Sequence, residues 1–208
     1  MPGSIVLLLC WRQKYDGNML AEFEVEIGGA SPTLSVPWAD ERGLLAYFDL
    51  RQNSALVDDI PESRDVALRN ALLRLNAPTS PFLTAKCDLW TTQELSDEEV
   101  IFRAGWKHAS YIDLLWRDPP QRTHFGPCEA AMRAWIVELR KSPIESASAA
   151  IILRRCNVWN RAGYYWTVYL SGFGDTGISA RDLWAAALEE LLGILLPASY
   201  EADQLPPP

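Results

Sequence analysis

The stretch "YYWTVYLSGFGDTGISARDLWAAALEELLGILLP", Tyr164–Pro197, reads as a strand, a glycine-rich turn and a helix, and the turn carries the spacing G-x-G-x-x-G at Gly172, Gly174 and Gly177. In a dinucleotide-binding fold these glycines would allow a tight turn, close approach of backbone to pyrophosphate and dense helix–strand packing. That reading also needs a second parallel strand and an acid about 20 residues further on. Only eleven residues follow Pro197, and Asp175 inside the turn would repel a phosphate. The segment is therefore expected to be a turn between a strand and a helix, not a nucleotide cradle.

The helix after the turn sets a pattern that recurs upstream. Trp184, Ala187, Leu188 and Leu191 follow i, i+3, i+4, i+7 spacing and share one face. Met132, Trp135, Ile136 and Leu139 repeat it, as do Leu68, Ala71, Leu72 and Leu75. Ser179 is expected to cap the last helix, with Asp182 reaching back. Prolines 78, 143 and 197 stop the three helices.

Short matches join the helices to extended segments. "YFDL" (Tyr47–Leu50) resembles "YIDL" (Tyr111–Leu114), "ALRNALLRL" (Ala67–Leu75) resembles "AMRAWIVEL" (Ala131–Leu139), and "AKCDLW" (Ala85–Trp90) resembles "RRCNVW" (Arg154–Trp159). Strands are expected in "SIVLLLCW", "LAEFEVEI", "LLAYFDL", "FLTAKCDLW", "SYIDLLW", "AAIILRRC" and "YYWTVYLSG", which are short and rich in β-branched or aromatic residues. "LAEFEVEI" alternates, with Ala21, Phe23, Val25 and Ile27 on one side and Glu22, Glu24 and Glu26 on the other. Runs of strands between single helices give an α+β fold: a largely antiparallel sheet, helices packed on one face, and about three strand–strand–helix units near 4–78, 82–143 and 149–197. These units are read as one domain, 1–197. Gly28–Arg42 and Pro119–Gly126 read as long loops, and 198–208 as a disordered tail.

Composition narrows the function. A chain of 208 residues, 49% hydrophobic and with nine tryptophans, has the material for a packed core. The apolar run near the N-terminus, Ile5–Trp11, is too short for a spanning helix and lacks the basic start of a signal peptide, so no membrane partner is expected. Four dispersed cysteines without a C-x-x-C pair suggest reduced thiols in a cytoplasmic protein, with neither disulfide framework nor zinc site. Residues 1–100 hold 16 acids and 8 bases, whereas the remainder holds 11 of each, so the whole net charge of −8 lies in the first half. Such a field repels nucleic acid and attracts a basic partner.

No motif assembles a reactive centre or cofactor site. Asp49 and Asp113 take equivalent places in the two "Y-x-D-L" segments, and with His124 they form the candidate ligand or acid–base site. Cys128, four residues after His124, is not spaced as a nucleophile pair. Arg154 and Arg155 point to opposite sides of a strand and make no continuous cationic patch for nucleic acid. The stronger reading is a non-catalytic binding module of the inhibitor or toxin-immunity type. Its acidic surface is expected to comprise Glu22, Glu24, Glu26, Asp40, Glu41, Asp58 and Asp59, with a basic protein as partner.

Overall fold

A computed structural model describes residues 17–29, 31–43 and 46–196. The expected strand "SIVLLLCW" and the tail 198–208 lie outside the described residues. In chain order the elements are β1 (Leu20–Glu26), β2 (Thr33–Val36), α1 (Val66–Leu75), β3 (Phe82–Thr92), β4 (Trp106–Trp116), α2 (Pro119–Thr123), α3 (Phe125–Leu139), β5 (Ala147–Val158), β6 (Arg161–Gly174) and α4 (Gly177–Leu195). Three short 3-10 turns punctuate the connections, at Ser54–Asp59, Pro61–Arg64 and Glu99–Phe102.

The fold is α+β around one mixed sheet. Its strand order is β1-β5-β6-β4-β3, and β2 pairs with β5 beyond the end of β1. The β3–β4, β4–β6 and β5–β6 pairings are antiparallel, but β1 and β2 both run parallel to β5. Parallel pairing needs a long crossover, and here almost the whole intervening chain provides it. Period-2 alternation is the same in either direction, so the sequence had no means of marking β1 as parallel.

All three apolar helix stripes are buried as spaced: Leu68, Ala71, Leu72 and Leu75 on α1, Met132, Trp135, Ile136 and Leu139 on α3, Trp184, Ala187, Leu188 and Leu191 on α4. They pack with Ile151, Leu153, Trp166, Val168, Ile112 and Leu114 into the main core on one face of the sheet. Rings lock this layer: Trp166 lies edge-on to Trp135 with centroids 4.7 Å apart, and its indole N–H donates to the Cys128 carbonyl at 3.2 Å. The other face is covered over part of its length where Leu34, Val36, Trp38 and Tyr47 meet Leu83, Leu115, Cys156, Val158 and Tyr165.

The glycine turn is a packing device. A Cβ on Gly172 would sit 2.2 Å from the Trp184 amide nitrogen and 2.4 Å from the Ala180 carbonyl oxygen. One on Gly174 would sit 2.3 Å from the Ser179 hydroxyl. Without side chains here, α4 lies directly against the end of β6, which is antiparallel to both its neighbours. The cap differs from expectation by one turn element. Thr176, not Ser179, is the N-cap residue, and Ser179 is the group that reaches back to the Thr176 amide at 3.0 Å. Hydroxyl and amide thus satisfy each other where Asp182 had been assigned.

Strand–strand–helix succession recurs along the chain, yet the units are not equivalent. β3–β4 and β5–β6 are antiparallel pairs, whereas β1 and β2 do not pair with each other. Tyr47–Leu50 forms no strand, whereas Tyr111–Leu114 lies in the middle of β4. Asp49 and Asp113 therefore do not occupy equivalent places. The two stretches expected as loops also hold structure, β2 in the first and α2 in the second. No helix among the described residues is long and apolar enough to cross a membrane.

Candidate functional site

The structure separates the expected acids into groups. Glu22, Glu24 and Glu26 lie on β1, an edge of the sheet, and point away from the helices because Ala21, Phe23 and Val25 pack into the main core. Glu22 and Glu24 are exposed and have no cation partner among the described residues. Glu26 is instead paired with Arg154 at 2.7 Å. Asp40 and Glu41 lie in the turn after β2, closed by the Gly43 amide on the Asp40 carbonyl. Asp58 and Asp59 end a 3-10 turn packed on α1, and Asp58 pairs with Arg69 at 2.7 Å. The seven acids are thus distributed over three places in the chain: β1, the turn after β2 and the 3-10 turn against α1.

Asp49, Asp113 and His124 do not converge either. Asp49 accepts from Arg51 at 3.0 and 2.8 Å through its two oxygens and from Gln52 at 3.0 Å, and these contacts hold its carboxyl below the ordinary range despite the burial that opposes them. His124 is exposed between α2 and α3, its Nδ1 2.7 Å from the Pro120 carbonyl. Cys128 is buried and donates weakly to the Gln121 carbonyl, and burial pushes its thiol up to about 12. It is no activated nucleophile.

Asp113 alone stands in a built environment. It is 5% exposed, near the centre of the sheet on the face away from the helices. Thr167 on β6 donates to its Oδ1 at 2.7 Å, Arg154 on β5 donates to the Thr167 hydroxyl at 2.8 Å, and the same guanidinium bonds Glu26 on β1. A chain of polar groups thus crosses four strands from the edge to Asp113. On the fifth strand the register shifts between Thr84 and Cys87, so Ala85 and Lys86 together oppose Asp113. Such a bulge re-aims a side chain, and Lys86 lies 4.8 Å from the Trp38 ring centroid. The Trp38 indole in turn donates to the bulged Ala85 carbonyl at 2.9 Å. Burial pushes the Asp113 carboxyl up to about 6, against the opposing pull of the Thr167 bond, Lys86 and Arg154. Burial likewise lowers Arg154, but the Glu26 and Tyr169 contacts outweigh it and hold the guanidinium above its usual value.

Beyond this chain the face is open among the described residues. A shallow cleft of about 220 Å³ is lined by Glu22, Trp90, Glu99, Lys107, Ala150 and Tyr169, with three serines at its floor and rim. Lys107 is committed to Glu99. Tyr169 pairs across strands with Tyr111, centroids 5.8 Å apart, and links the cleft to Arg154. The cleft therefore combines an uncompensated carboxylate with aromatic walls, a combination that accepts an organic cation. Among the described residues no group of three or more His, Cys, Asp or Glu is arranged to hold a metal ion.

The sequence reading named Glu22, Glu24, Glu26 and Asp113 as candidates, but not Trp90, Tyr169, Thr167, Lys86 or the role of Arg154 beside them. One signal was available: Asp113 and Arg154 each interrupt an apolar run, in "YIDLLW" and "AAIILRRC", and a charge placed there needs a partner. Comparison with protein-family models, with curated proteins and with solved structures finds no match.

Proposed function

We propose that the chain is a non-catalytic binding module whose acidic first half engages a basic partner protein at the open face of the sheet, in the manner of an inhibitor or toxin-immunity protein. The observation that carries this reading is the pair Glu22 and Glu24, exposed and without a cation partner among the described residues, beside a cleft walled by Trp90 and Tyr169. An arginine or lysine from the partner would meet a carboxylate and ring faces together, and aromatic and cationic residues of this kind are the usual anchors of an interface. The remaining negative field would steer encounter and make association sensitive to salt. Asp40, Glu41, Asp58 and Asp59 belong to that field more than to the contact. Three free, buried or half-buried thiols among the described residues suit a reducing, cytoplasmic setting.

Pull-down from the source cell with the intact chain and with a Glu22→Lys/Glu24→Lys variant tests the proposal. The expected result is a basic protein, retained by the intact chain and lost from the variant, whose recombinant form binds at least tenfold more weakly to the variant. A partner of no basic character, or binding indifferent to the two reversals, would overturn it. A second reading, a small-ligand binder or enzyme, has one observation in its favour: the bulge at Ala85–Lys86 and the raised Asp113 carboxyl. It would be preferred if Asp113→Asn abolished a binding activity that the glutamate reversals left intact.

A further inference from the structure

At the hairpin end of the sheet the charge pattern reverses. β5 and β6 are joined through Trp159 and Asn160, both at positive φ, and the two-residue turn projects beyond the sheet. Arg161, the first residue of β6, is exposed there. The Arg51 guanidinium lies 5.4 Å from the Trp159 ring centroid. Arg122, on α2, packs against the same strand two residues past Arg161: a Cβ on Gly163 would sit 2.9 Å from the Arg122 carbonyl oxygen and 3.1 Å from its Cγ. Three arginines from three separate segments thus lie near one turn, close enough for the charges of Arg51 and Arg161 to act on Arg122, in a chain whose net charge is −8.

Arg122 is the unusual member. It is 2% exposed and reaches only neutral acceptors, the Trp116 carbonyl at 2.8 Å and the Arg117 carbonyl at 3.2 Å, both through Nη1. Its Nε is buried without a hydrogen-bond partner among the described residues. A buried charge normally has a counter-charge and a full set of acceptors, and a guanidinium offers five donors in a fixed fork. The acids nearby form no hydrogen bond to it. Asp49 is held by Arg51, and Asp118, at the N-cap position of α2 without a side-chain cap bond, acts on Arg122 through its charge.

We propose that Arg122, Arg51 and Arg161 form a binding site for the phosphoryl group of a small anionic ligand. Three guanidinium groups against the Asp49 and Asp118 carboxylates leave the site net cationic, the sign that a phosphomonoester carrying about −1.5 to −2 at neutral pH requires. Planar forks match phosphate oxygens in pairs. Exposure falls from Arg161 through Arg51 to Arg122, so Arg161 meets the ligand first and Arg122 supplies the least hydrated charge. This site lies at the opposite end of β5 and β6 from the acidic cleft, and does not depend on the partner reading.

Isothermal titration calorimetry of the full chain tests it, with inorganic phosphate in one arm and glycerol phosphate in the other, against sodium chloride at equal ionic strength. Saturable binding of at least one phosphoryl compound is expected, weakened at least tenfold by Arg161→Glu and unchanged by Glu22→Lys/Glu24→Lys. Binding of both compounds marks a site for phosphate itself, and binding of the ester alone marks a phosphorylated metabolite. Because Arg161 is exposed, its variant should keep the far-ultraviolet circular dichroism of the parent. Arg122→Met should lose phosphate binding while folding, since replacing a buried, poorly paired charge by an apolar side chain of similar length is often neutral or stabilising. No saturable heat at millimolar phosphate, or equal binding by the Arg161→Glu protein, would overturn the assignment. So would an Arg122→Met protein that folds and still binds.

Discussion

Asp113→Asn should make the protein more stable at neutral and alkaline pH, and the gain should vanish in acid. Burial raises the Asp113 carboxyl from 3.8 to about 6. A difference of roughly 2 pH units at ~1.4 kcal/mol per unit means that ionisation costs about 3 kcal/mol more in the folded protein than in the unfolded chain. The folded state therefore holds a proton that the unfolded state has lost between those two values, and stability falls as pH rises through the window. Below about pH 4 both states carry the proton and the full contribution is present; above about pH 6 it is gone. Asparagine has no charge to bury, and its carbonyl still accepts from the Thr167 hydroxyl that now donates to Asp113 at 2.7 Å. Urea denaturation of both proteins at about pH 4 and about pH 8 isolates the term, because every other titrating group cancels in the comparison. The variant should be ahead by up to about 3 kcal/mol at the higher pH, relative to the difference at the lower. A difference that stays flat with pH, or one that favours aspartate as pH rises, would refute the account of a desolvated carboxylate.

Gly172→Ala should destabilise by about 3 kcal/mol or more, since its methyl group would meet backbone atoms of α4 at 2.2 and 2.4 Å and neither side can yield without moving the helix; thermal melting checks this, and a melting point equal to the parent's would dismiss the packing role of the glycine turn. Thr176→Ala removes the acceptor of the Ser179 amide and should cost about 1 kcal/mol in the same assay. Burial pushes Cys87, Cys128 and Cys156 up to about 12, so none of the three should react with iodoacetamide at about pH 8 until the chain is unfolded, which peptide mapping before and after denaturation would show.

The parts of the fold that were legible in the sequence are those fixed by nearest neighbours along the chain. Leu68, Ala71, Leu72 and Leu75 could be assigned to one buried face because a helix brings i, i+3 and i+4 together whatever surrounds it. The alternation from Ala21 to Glu26 similarly identified a strand with one charged face. "LLAYFDL" was misread for the same reason: its residues suit a strand, but Tyr47 packs with Leu83 and Leu115 on the far face of the sheet whereas Phe48 and Leu50 join the main core.

What only the tertiary structure decided is which strands are neighbours and which polar groups they bring within reach. Glu26 and Arg154 are 128 residues apart and Thr167 and Asp113 are 54 apart, yet each pair is joined by a bond of 2.7 Å. An alternating pattern repeats every two residues and fits any register and either direction, so it carries no information about its partner strand. The parallel placement of β1 on β5, the bulge opposite Asp113 and the gathering of Arg51, Arg122 and Arg161 around one turn all follow from long-range pairing. Their physical cause is the joint burial of faces contributed by distant segments, which no local stretch of this chain expresses.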